Sequence, residues 1–314
     1  MVSVITIFLN AEKFIQEAID SVFAQTFDSW ELLLVDDGST DASTTLARRC
    51  AEQYPDKVRY LEHDGHQNRG MSASRNLGLR HARGKYVALL DSDDVWLPPK
   101  LERQVGVLES QPEAAMVYGS ALWWYSWTGR PEDLQRDSYD FVENYIAQPN
   151  SLIKPPTLLT TFLRDGKAVP CPATVLVRRE ALEQIDGFEE AFHDLYEDQA
   201  FFAKLCLKES VYVEGECWAK YRQHKDSCCN LAGANGQESI ARQFYLNWLE
   251  KYLAEKEVTD AEVLEALREA LRPYREQENG HHTPADEVLQ LASLLRVEPV
   301  SRCWGFDRGL PIDR

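Results

Sequence analysis

Three carboxylates, Asp91, Asp93 and Asp94, follow the apolar run Tyr86–Leu90. A buried strand that ends in clustered negative charge needs a cation or hydrogen-bond donors, because an unpaired buried carboxylate is very costly. Asp91 and Asp93 are two positions apart, so their side chains point to the same side of an extended backbone. Carboxylate oxygens are ligands that Mg²⁺ and Mn²⁺ prefer. The spacing therefore suits a divalent metal, and the alternative is an acidic turn that caps backbone amides.

The composition limits the kinds of partner and compartment that suit this chain. Its 314 residues are 44% hydrophobic and 27% charged, which is typical of a soluble globular protein with ample length for a core. The net charge of -17 argues against nucleic acid as a partner. The seven cysteines are odd in number and form no Cys-x-x-Cys pair, which predicts reduced thiols in the cytoplasm.

Neither a secretory leader nor a membrane span is predicted. Met1 leads directly into Val2–Ile5 without a basic region, so we expect no signal peptide. The longest apolar stretch, Ala114–Trp127, is too short to cross a bilayer. We expect a cytoplasmic protein without a transmembrane segment, and peripheral contact with the inner face of the membrane stays open.

Strand and helix patterns alternate over the first third of the chain. The predicted strands are Val2–Leu9, Trp30–Val35, Val58–Leu61 and Tyr86–Leu90. A helix is predicted after Asn10, as its N-cap, and further helices at about 41–54, 70–82 and 98–110. This alternation indicates βαβ units and a mainly parallel sheet covered by helices.

Polar residues follow each of these strands, at the edge where such sheets bind their ligands. They are Asn10, Asp36–Asp37, the segment after Leu61, and Asp91-Ser92-Asp93. The glycine-rich fingerprints that cradle a diphosphate, G-x-G-x-x-G after the first strand and G-x-x-x-x-G-K-[ST], are absent. A metal held by carboxylates would supply another anchor for a diphosphate.

The pattern is less regular after Met116. Strand-like segments are predicted at 117–127, 175–177, 211–213 and 218–221, and helices at about 179–185 and 197–208. Charged helices are predicted at 239–252, 260–276 and 286–295.

Short motifs in a fixed order extend from residue 2 to about residue 228. They are Val2-Ser3-Val4-Ile5, the segment 21–27 (SVFAQTF), the segment 31–41 (ELLLVDDGSTD), Arg75-Asn76-Leu77-Gly78, the segment 82–86 (ARGKY), Asp91-Ser92-Asp93-Asp94, Arg178-Arg179, Gly187-Phe188, Glu197-Asp198 and Tyr221-Arg222-Gln223-His224. Together they resemble the motifs of family 2 inverting glycosyltransferases of the GT-A fold. Many short motifs in order are more specific than any one alone.

The resemblance implies a GT-A type, Rossmann-like sheet flanked by helices. The charged helical pattern after Asn230, where no family motif is found, predicts a helical C-terminal extension. It implies transfer of a sugar from a nucleoside diphosphate, UDP by default, to an acceptor hydroxyl with inversion. A divalent metal, Mn or Mg, would stabilise the leaving diphosphate, and a carboxylate would act as base. Residues 1–112 would be the nucleotide-sugar-binding half, 113–229 the acceptor-binding and catalytic half of the same domain, and 230–314 the extension.

The resemblance also assigns donor-binding residues. Asp37 matches the residue that hydrogen-bonds the nucleotide base, and Asp36 could share that task. Arg75 matches a residue near the base and phosphates, while Asn10 and Asp91 lie on the same rim. The alternatives are a local Asx turn for the two aspartates and a solvated helix face for Arg75.

Metal and diphosphate ligands follow from the same resemblance. Asp93 matches the metal aspartate, with Asp91 and Asp94 beside it. Arg222 and His224 lie where the family often places a late ligand to the diphosphate or the metal, although a lone histidine is more often structural.

The base is expected in the pair Glu197 and Asp198, with Asp198 favoured. The alternative is that acidic residues in the first turn of a helix are favoured by its dipole alone. Three further residues, Trp123, Trp124 and Trp127, could stack on a sugar, although aromatic residues in strands usually lie in the core.

The Gln-x-x-Arg-Trp signature of processive synthases is missing, which favours a non-processive enzyme of polysaccharide biosynthesis. Its acceptor would be a glycan, a lipid-linked or another hydroxyl compound. Two other functions stay open. A nucleotidyltransferase would carry a glycine-rich loop in place of Asn10-Ala11-Glu12-Lys13, and an inactive GT-A-like module would bind the donor without turnover. The helices after Asn230 could cover the acceptor, form a homodimer, or dock to a membrane or partner.

Overall fold

The computed structural model describes residues 1–146, 148–193 and 195–280. Its strands are β1 Val2–Phe8, β2 Trp30–Asp36, β3 Val58–Glu62, β4 Tyr86–Leu89, β5 Val95–Trp96, β6 Ala114–Trp124, β7 Ser138–Asp140, β8 Ser151–Ile153, β9 Leu176–Arg178 and β10 Ser210–Arg222. Its α-helices are α1 Ile15–Phe23, α2 Ser43–Gln53, α3 Met71–His81, α4 Lys100–Ser110, α5 Pro131–Leu134, α6 Thr157–Arg164, α7 Arg179–Gln184, α8 Glu197–Lys208, α9 Cys228–Ala234, α10 Glu238–Glu255 and α11 Ala261–Gly280. Residues 1–273 form one compact unit.

The strands form one sheet in the order β3-β2-β1-β4-β9-β6-β10-β5, with β7 beside β6 and β8 beside β10. Among the described strands, the four longest pairings are parallel and join β1 to β2, β1 to β4, β2 to β3 and β6 to β10. Strand β9 is antiparallel to both β4 and β6. The predicted α/β class with a mainly parallel, helix-flanked sheet is confirmed.

The centre of the sheet is buried on both faces. Every residue of β1 and β2 is buried, as expected for parallel strands that helices cover on either side. Helix α1 turns Ile15, Ala18, Ile19 and Val22 toward the sheet, which is the spacing of one helical face. This arrangement brings the carboxyl ends of β2, β1 and β4 side by side.

Two expectations about local structure are wrong. Asn10 is not an N-cap: its backbone is left-handed, with φ 53°, and α1 begins only at Ile15. Asparagine tolerates this conformation because its short polar side chain hydrogen-bonds locally. The two short strands expected at 211–213 and 218–221 are one strand, β10, whose pairing with β6 continues through register shifts.

One expectation, the helix at 286–295, falls outside the described residues. No helix within the described ranges has the length and hydropathy needed to cross a membrane.

Candidate active site

The ends of β1 and β2 are tied together at the rim of the sheet. The backbone N–H of Asn10 donates to Oγ of Ser39 (3.0 Å), and Oδ1 of Asn10 accepts from the backbone N–H of Thr40 (2.7 Å). These bonds fix the loop that follows β2. Asn10 therefore lies on the rim expected for donor binding, where its side chain shapes the loop that carries Asp37.

Asp36 is fully buried and accepts three hydrogen bonds within the protein. The donors are the N–H of Ser39 (2.8 Å), the hydroxyl of Thr44 (2.5 Å) and the hydroxyl of Tyr60 (3.1 Å). Its carboxylate holds β2, the following loop and β3 together. A nucleotide base would meet Asp37 more readily than this inward-facing group.

Asp37 closes the start of α3. Its carboxylate accepts from the N–H of Arg69 (2.7 Å), the N–H of Gly70 (3.1 Å) and the hydroxyl of Ser74 (3.0 Å). Burial raises the pKa of the Asp37 carboxyl, while these donors oppose the rise. A carboxylate has about four lone-pair sites, so three donors leave capacity for one N–H of a base.

Arg75 of α3 connects the acidic run to the start of α8. Its side chain is 3% exposed, and Nη2 donates to Oδ1 of Asp91 at 2.8 Å. Nη1 donates to Oε1 of Glu197, and the guanidinium lies 5.4 Å from the ring centroid of Phe188. The solvated-face alternative for Arg75 does not match this environment.

The first residues of α8 differ in how their carboxylates are engaged. Glu197 is buried and accepts from Arg75 and from the backbone N–H of Asp198. Asp198 is half-buried and accepts from the N–H of Gln199 at 2.7 Å. Burial raises the pKa of the Asp198 carboxyl, and the Arg75 guanidinium opposes that rise. A carboxylate with a raised pKa suits the removal of a proton near neutral pH.

The three aspartates after β4 have different surroundings. The side chains of Asp91 and Asp93 are 29% and 28% exposed, whereas Asp94 is fully buried. Oδ1 of Asp94 accepts from the N–H of Arg222 at 2.9 Å. Burial, together with the charges of Asp93 and Asp91, raises the pKa of Asp94 well above its ordinary value. Asp91 and Asp93 are thus the members of the run that a ligand can reach.

Asp93 and His224 approach each other across the site. Oδ2 of Asp93 lies 2.9 Å from Nε2 of His224. The described residues contain no group of three or more His, Cys, Asp or Glu side chains arranged to hold a metal. Mg²⁺ is nevertheless often bound by one or two protein ligands completed by substrate phosphates, and Mn²⁺ accepts similar oxygen ligands. The accessible Asp93 carboxylate with the adjacent imidazole fits such a substrate-completed site.

Arg222 lies in a cage of aromatic rings beside this pair. Its guanidinium carbon is 4.8, 4.5 and 5.3 Å from the ring centroids of Phe14, Trp124 and Trp127. Nε donates to the backbone carbonyl of Asp93 (2.6 Å), and Nη2 donates to Glu17 (2.5 Å). In this structure the group expected to contact a diphosphate holds the backbone of the acidic run.

Sequence reasoning missed Phe14, which directly precedes α1, and Glu17 on α1, because both lie far along the chain from Arg222. No spacing rule connects them. Of the tryptophans considered for sugar stacking, Trp124 and Trp127 belong to the cage. Trp123 is 40% exposed and contacts Tyr221 edge-on, with ring centroids 6.0 Å apart. It is the most exposed of the three tryptophans.

Comparison with known proteins relates the chain to sugar-transferring enzymes. The model of the family described as "Glycosyl transferase family 2" matches residues 3–186. An uncharacterized glycosyltransferase of Rickettsia bellii is 26% identical over 313 residues, which are 96% of this chain and 41% of that protein. A putative teichuronic acid biosynthesis glycosyltransferase of Bacillus subtilis, TuaG, is 32% identical over 225 residues, 71% of this chain and 79% of that protein. The chain thus spans about two fifths of the Rickettsia relative.

Two solved structures share the fold. S. aureus TarS 1-349 in complex with UDP-GlcNAc has a TM-score of 0.53 and 19% identity, covering 86% of this chain and 79% of that one. The mannosyltransferase PcManGT from Pyrobaculum calidifontis, in complex with GDP-Man and Mn²⁺, has a TM-score of 0.54 and 20% identity, covering 95% and 81%. At such identities the likeness extends to the fold alone.

Proposed function

The chain belongs to glycosyl transferase family 2, and from that premise we propose that it is a non-processive inverting glycosyltransferase. The enzyme would move a sugar from a nucleoside-diphosphate donor, with UDP expected, to an acceptor hydroxyl. The name of the teichuronic acid biosynthesis relative supports a role in polysaccharide biosynthesis, in which the acceptor would be a glycan, a lipid-linked or another hydroxyl compound.

One observation carries the proposal: a single guanidinium, Arg75, joins Asp91 to Glu197. It sets the acidic run at the mouth of the sheet at a fixed distance from the first turn of α8. Inverting transfer needs two separate functions in one cleft, namely stabilisation of a leaving diphosphate and removal of a proton from the attacking hydroxyl. Holding both functions in a rigid frame lowers the barrier by orienting the reactants.

The donor would lie along the rim. Asp37 would accept an N–H from the nucleotide base, while Asn10 and Asp36 hold the loop that presents it. Asp93 and His224 would bind Mn²⁺ or Mg²⁺ together with the diphosphate, and the ion would stabilise negative charge on the leaving group. Arg222 would act by holding the backbone of Asp93, to which it donates at 2.6 Å.

Asp198 would accept the proton of the acceptor hydroxyl. Its carboxylate is half-buried and accepts from the backbone N–H of Gln199 through Oδ1, with no arginine or lysine bonded directly to it among the described contacts. Glu197 is less suited to this role, because both of its oxygens are engaged by Arg75 and by the N–H of Asp198.

The test is a panel of sugar nucleotides, UDP- and GDP-linked, incubated with Mn²⁺ and read as release of nucleoside diphosphate. We expect metal-dependent release with at least one donor. Asp198→Asn should abolish transfer while calorimetry still detects binding of UDP with Mn²⁺. The control is Asp56→Asn, which changes an exposed aspartate away from the cleft.

Near-normal turnover in Asp198→Asn would remove the assigned base. Donor binding without release across a broad acceptor panel would favour the inactive binding module, and formation of a sugar nucleotide from a nucleoside triphosphate would favour a nucleotidyltransferase.

A further inference from the structure

Tyr196, the residue before the acidic pair, has a left-handed backbone. Its φ is 65°, and its carbonyl accepts from the N–H of Ala200 at 2.9 Å, which closes the first turn of α8. A bulky residue in this conformation is strained, and it persists only where the surroundings hold it. Such strain at the start of the helix that carries Asp198 indicates that neighbouring residues hold Tyr196 in this conformation.

The restraint comes from α10. The ring of Tyr196 stacks on the ring of Tyr245, with centroids 5.4 Å apart and planes 17° from parallel. Tyr245 is 4% exposed and is flanked by Phe192 at 6.5 Å and Trp248 at 6.3 Å. We call Phe192, Tyr196, Tyr245 and Trp248 the aromatic clamp. Such ring pairs add stabilisation beyond their buried area.

Part of the clamp lies beyond the last of the family-like motifs. Helix α10, which carries Tyr245 and Trp248, begins at Glu238, whereas the last motif is Tyr221-Arg222-Gln223-His224. Tyr245 is also close enough to Asp198 to feel its charge: burial raises the pKa of the Tyr245 hydroxyl, and Asp198 adds to that rise. Helix α10, which carries none of the family motifs, therefore contacts through Tyr245 the residue two positions before the residue assigned as the base.

We propose that Tyr245 is a positioning residue, through which helix α10 holds Tyr196 and the first turn of α8 in the conformation that presents Asp198. This inference rests on the proposed role of Asp198. Helix α10 is then part of the catalytic apparatus. A misplacement of a reacting group by about 1 Å can lower a rate about 100-fold. Loss of the clamp contact should therefore lower kcat.

The experiment uses the full chain and three variants. Tyr245→Leu removes the stacked ring, and Tyr245→Phe keeps it. Leu253→Ala is the matched control, because it weakens a fully buried contact of α10 at a residue outside the clamp. We expect Tyr245→Leu to lower kcat by at least about tenfold at an unchanged donor KM, and Tyr245→Phe to stay within about twofold of wild type. Leu253→Ala should lower the melting temperature and leave kcat unchanged.

Hydrogen exchange of the Ala200 amide gives a readout that needs no turnover, because that N–H bonds to the carbonyl of Tyr196. Its protection should fall in Tyr245→Leu and persist in Tyr245→Phe and Leu253→Ala. Calorimetric binding of UDP with Mn²⁺ should be the same in all variants.

A second pair of variants tests the contact from the other side. Glycine accepts a positive φ without strain, so Tyr196→Gly keeps the turn and removes the ring. It should lower kcat as Tyr245→Leu does, and the double variant should be no slower than the slower single one, because both changes break one contact.

The outcomes separate the two proposals. Wild-type kcat and Ala200 protection in Tyr245→Leu, beside an inactive Asp198→Asn, would overturn the positioning role alone. Full turnover in Asp198→Asn would instead overturn the proposed base. Equal losses of kcat in Tyr245→Leu and Leu253→Ala would assign the effect to general destabilisation of α10 and would also overturn the positioning role.

Discussion

Arg75 and Asp91 form an ion pair in which Nη2 and Oδ1 are 2.8 Å apart and the arginine side chain is almost fully buried. The other terminal nitrogen of Arg75 is committed to Glu197, whose side chain is 5% exposed. One carboxylate in the acidic run after β4 and one beside the proposed base Asp198 therefore depend on the same cation. The planar guanidinium of arginine donates in fixed directions and can bond both carboxylates, whereas the ammonium group of lysine is a single point charge.

We predict that Arg75→Met lowers the free energy of unfolding by about 3–5 kcal/mol, because it leaves the Glu197 carboxylate buried and without its cation. Urea unfolding at neutral pH measures the loss. Arg75→Lys should keep more of the stability than Arg75→Met but should still lose turnover, since lysine cannot bridge Asp91 and Glu197 in the same geometry.

The matched control for stability is Arg48→Met. Arg48 pairs with Glu62 at the surface, with its side chain 52% exposed, so its loss should destabilise the fold far less than the loss of Arg75. Equal losses in Arg75→Met and Arg48→Met would show that the Arg75 bridge adds no special stability.

The pH dependence of kcat should report on Asp198. Burial raises the pKa of its carboxyl, and the base must be deprotonated to accept a proton. Activity is therefore expected at pH values above the raised pKa and lost as the pH falls through it. The acid limb should lie above about pH 4, the ordinary range of an aspartic acid. Steady-state rates from acidic to neutral pH, with folding checked by circular dichroism, measure this limb.

Asp198→Glu provides the comparison, because it retains a carboxyl in an altered position. We expect this variant to have a lower kcat than the wild type, and its kcat should still fall at acidic pH. An acid limb at or below about pH 4 in the wild-type enzyme would mean that the group seen in kcat is an unperturbed carboxylate.

The sequence pattern predicted the features that depend on residues close together along the chain. The strands β1 to β4 were predictable because buried parallel strands are continuous apolar runs, and the polar residues after them marked the rim. The position of Asp91 and Asp93 at this rim was predicted in the same way, because they directly follow a buried apolar run. The predicted fold class and the resemblance to family 2 are both confirmed.

The connections between distant residues were not predictable. Arg75 and Glu197 are 122 positions apart, and Arg222 and Glu17 are 205 positions apart. Nothing in a single sequence marks which buried cation will pair with which carboxylate, because tertiary packing alone makes them neighbours. The contact of Tyr245 with Tyr196 is also made by tertiary packing alone, and it joins the residue before the Glu197-Asp198 motif to a segment without motifs.

A buried lysine outside the site should give stability an unusual dependence on pH. Lys100 is fully buried and donates to Gln104 (2.8 Å) and to the carbonyl of Val175 (3.0 Å). Burial lowers its pKa to about 7. Above that value the folded chain has lost a proton that the unfolded chain keeps up to about pH 10, so the free energy of unfolding rises with pH across this window.

Comparison with Lys100→Met isolates this effect. Between pH 8 and pH 10 the wild type should gain about 2 kcal/mol of stability relative to the variant, a full proton being worth about 1.4 kcal/mol per pH unit. Glu214, whose pKa burial raises to about 7, is largely ionised in both states over this interval. Urea unfolding at the two pH values measures the difference. Parallel stability curves for the two proteins would mean that Lys100 stays charged in the folded state.

The cage around Arg222 should tune metal binding through the backbone of Asp93. Arg222→Lys keeps the positive charge but cannot donate to the Asp93 carbonyl and to Glu17 at once while lying flat against the rings. Mutation of a group that orients a metal ligand typically weakens metal affinity by about 10–100-fold. We therefore expect the Mn²⁺ concentration for half-maximal activity to rise by about 10–100-fold in Arg222→Lys.

Chelation of the metal should stop diphosphate release by both the wild type and Arg222→Lys, and excess Mn²⁺ should restore most of the activity of the variant. The control is Glu17→Gln, which keeps a hydrogen-bond acceptor for Arg222 and leaves its bond to Asp93 in place. Glu17 has a side chain 52% exposed, so its charge contributes little and the Mn²⁺ requirement should stay near that of wild type. A loss in Arg222→Lys that excess Mn²⁺ does not relieve, with weaker binding of metal-free UDP, would instead assign Arg222 a direct contact with the diphosphate.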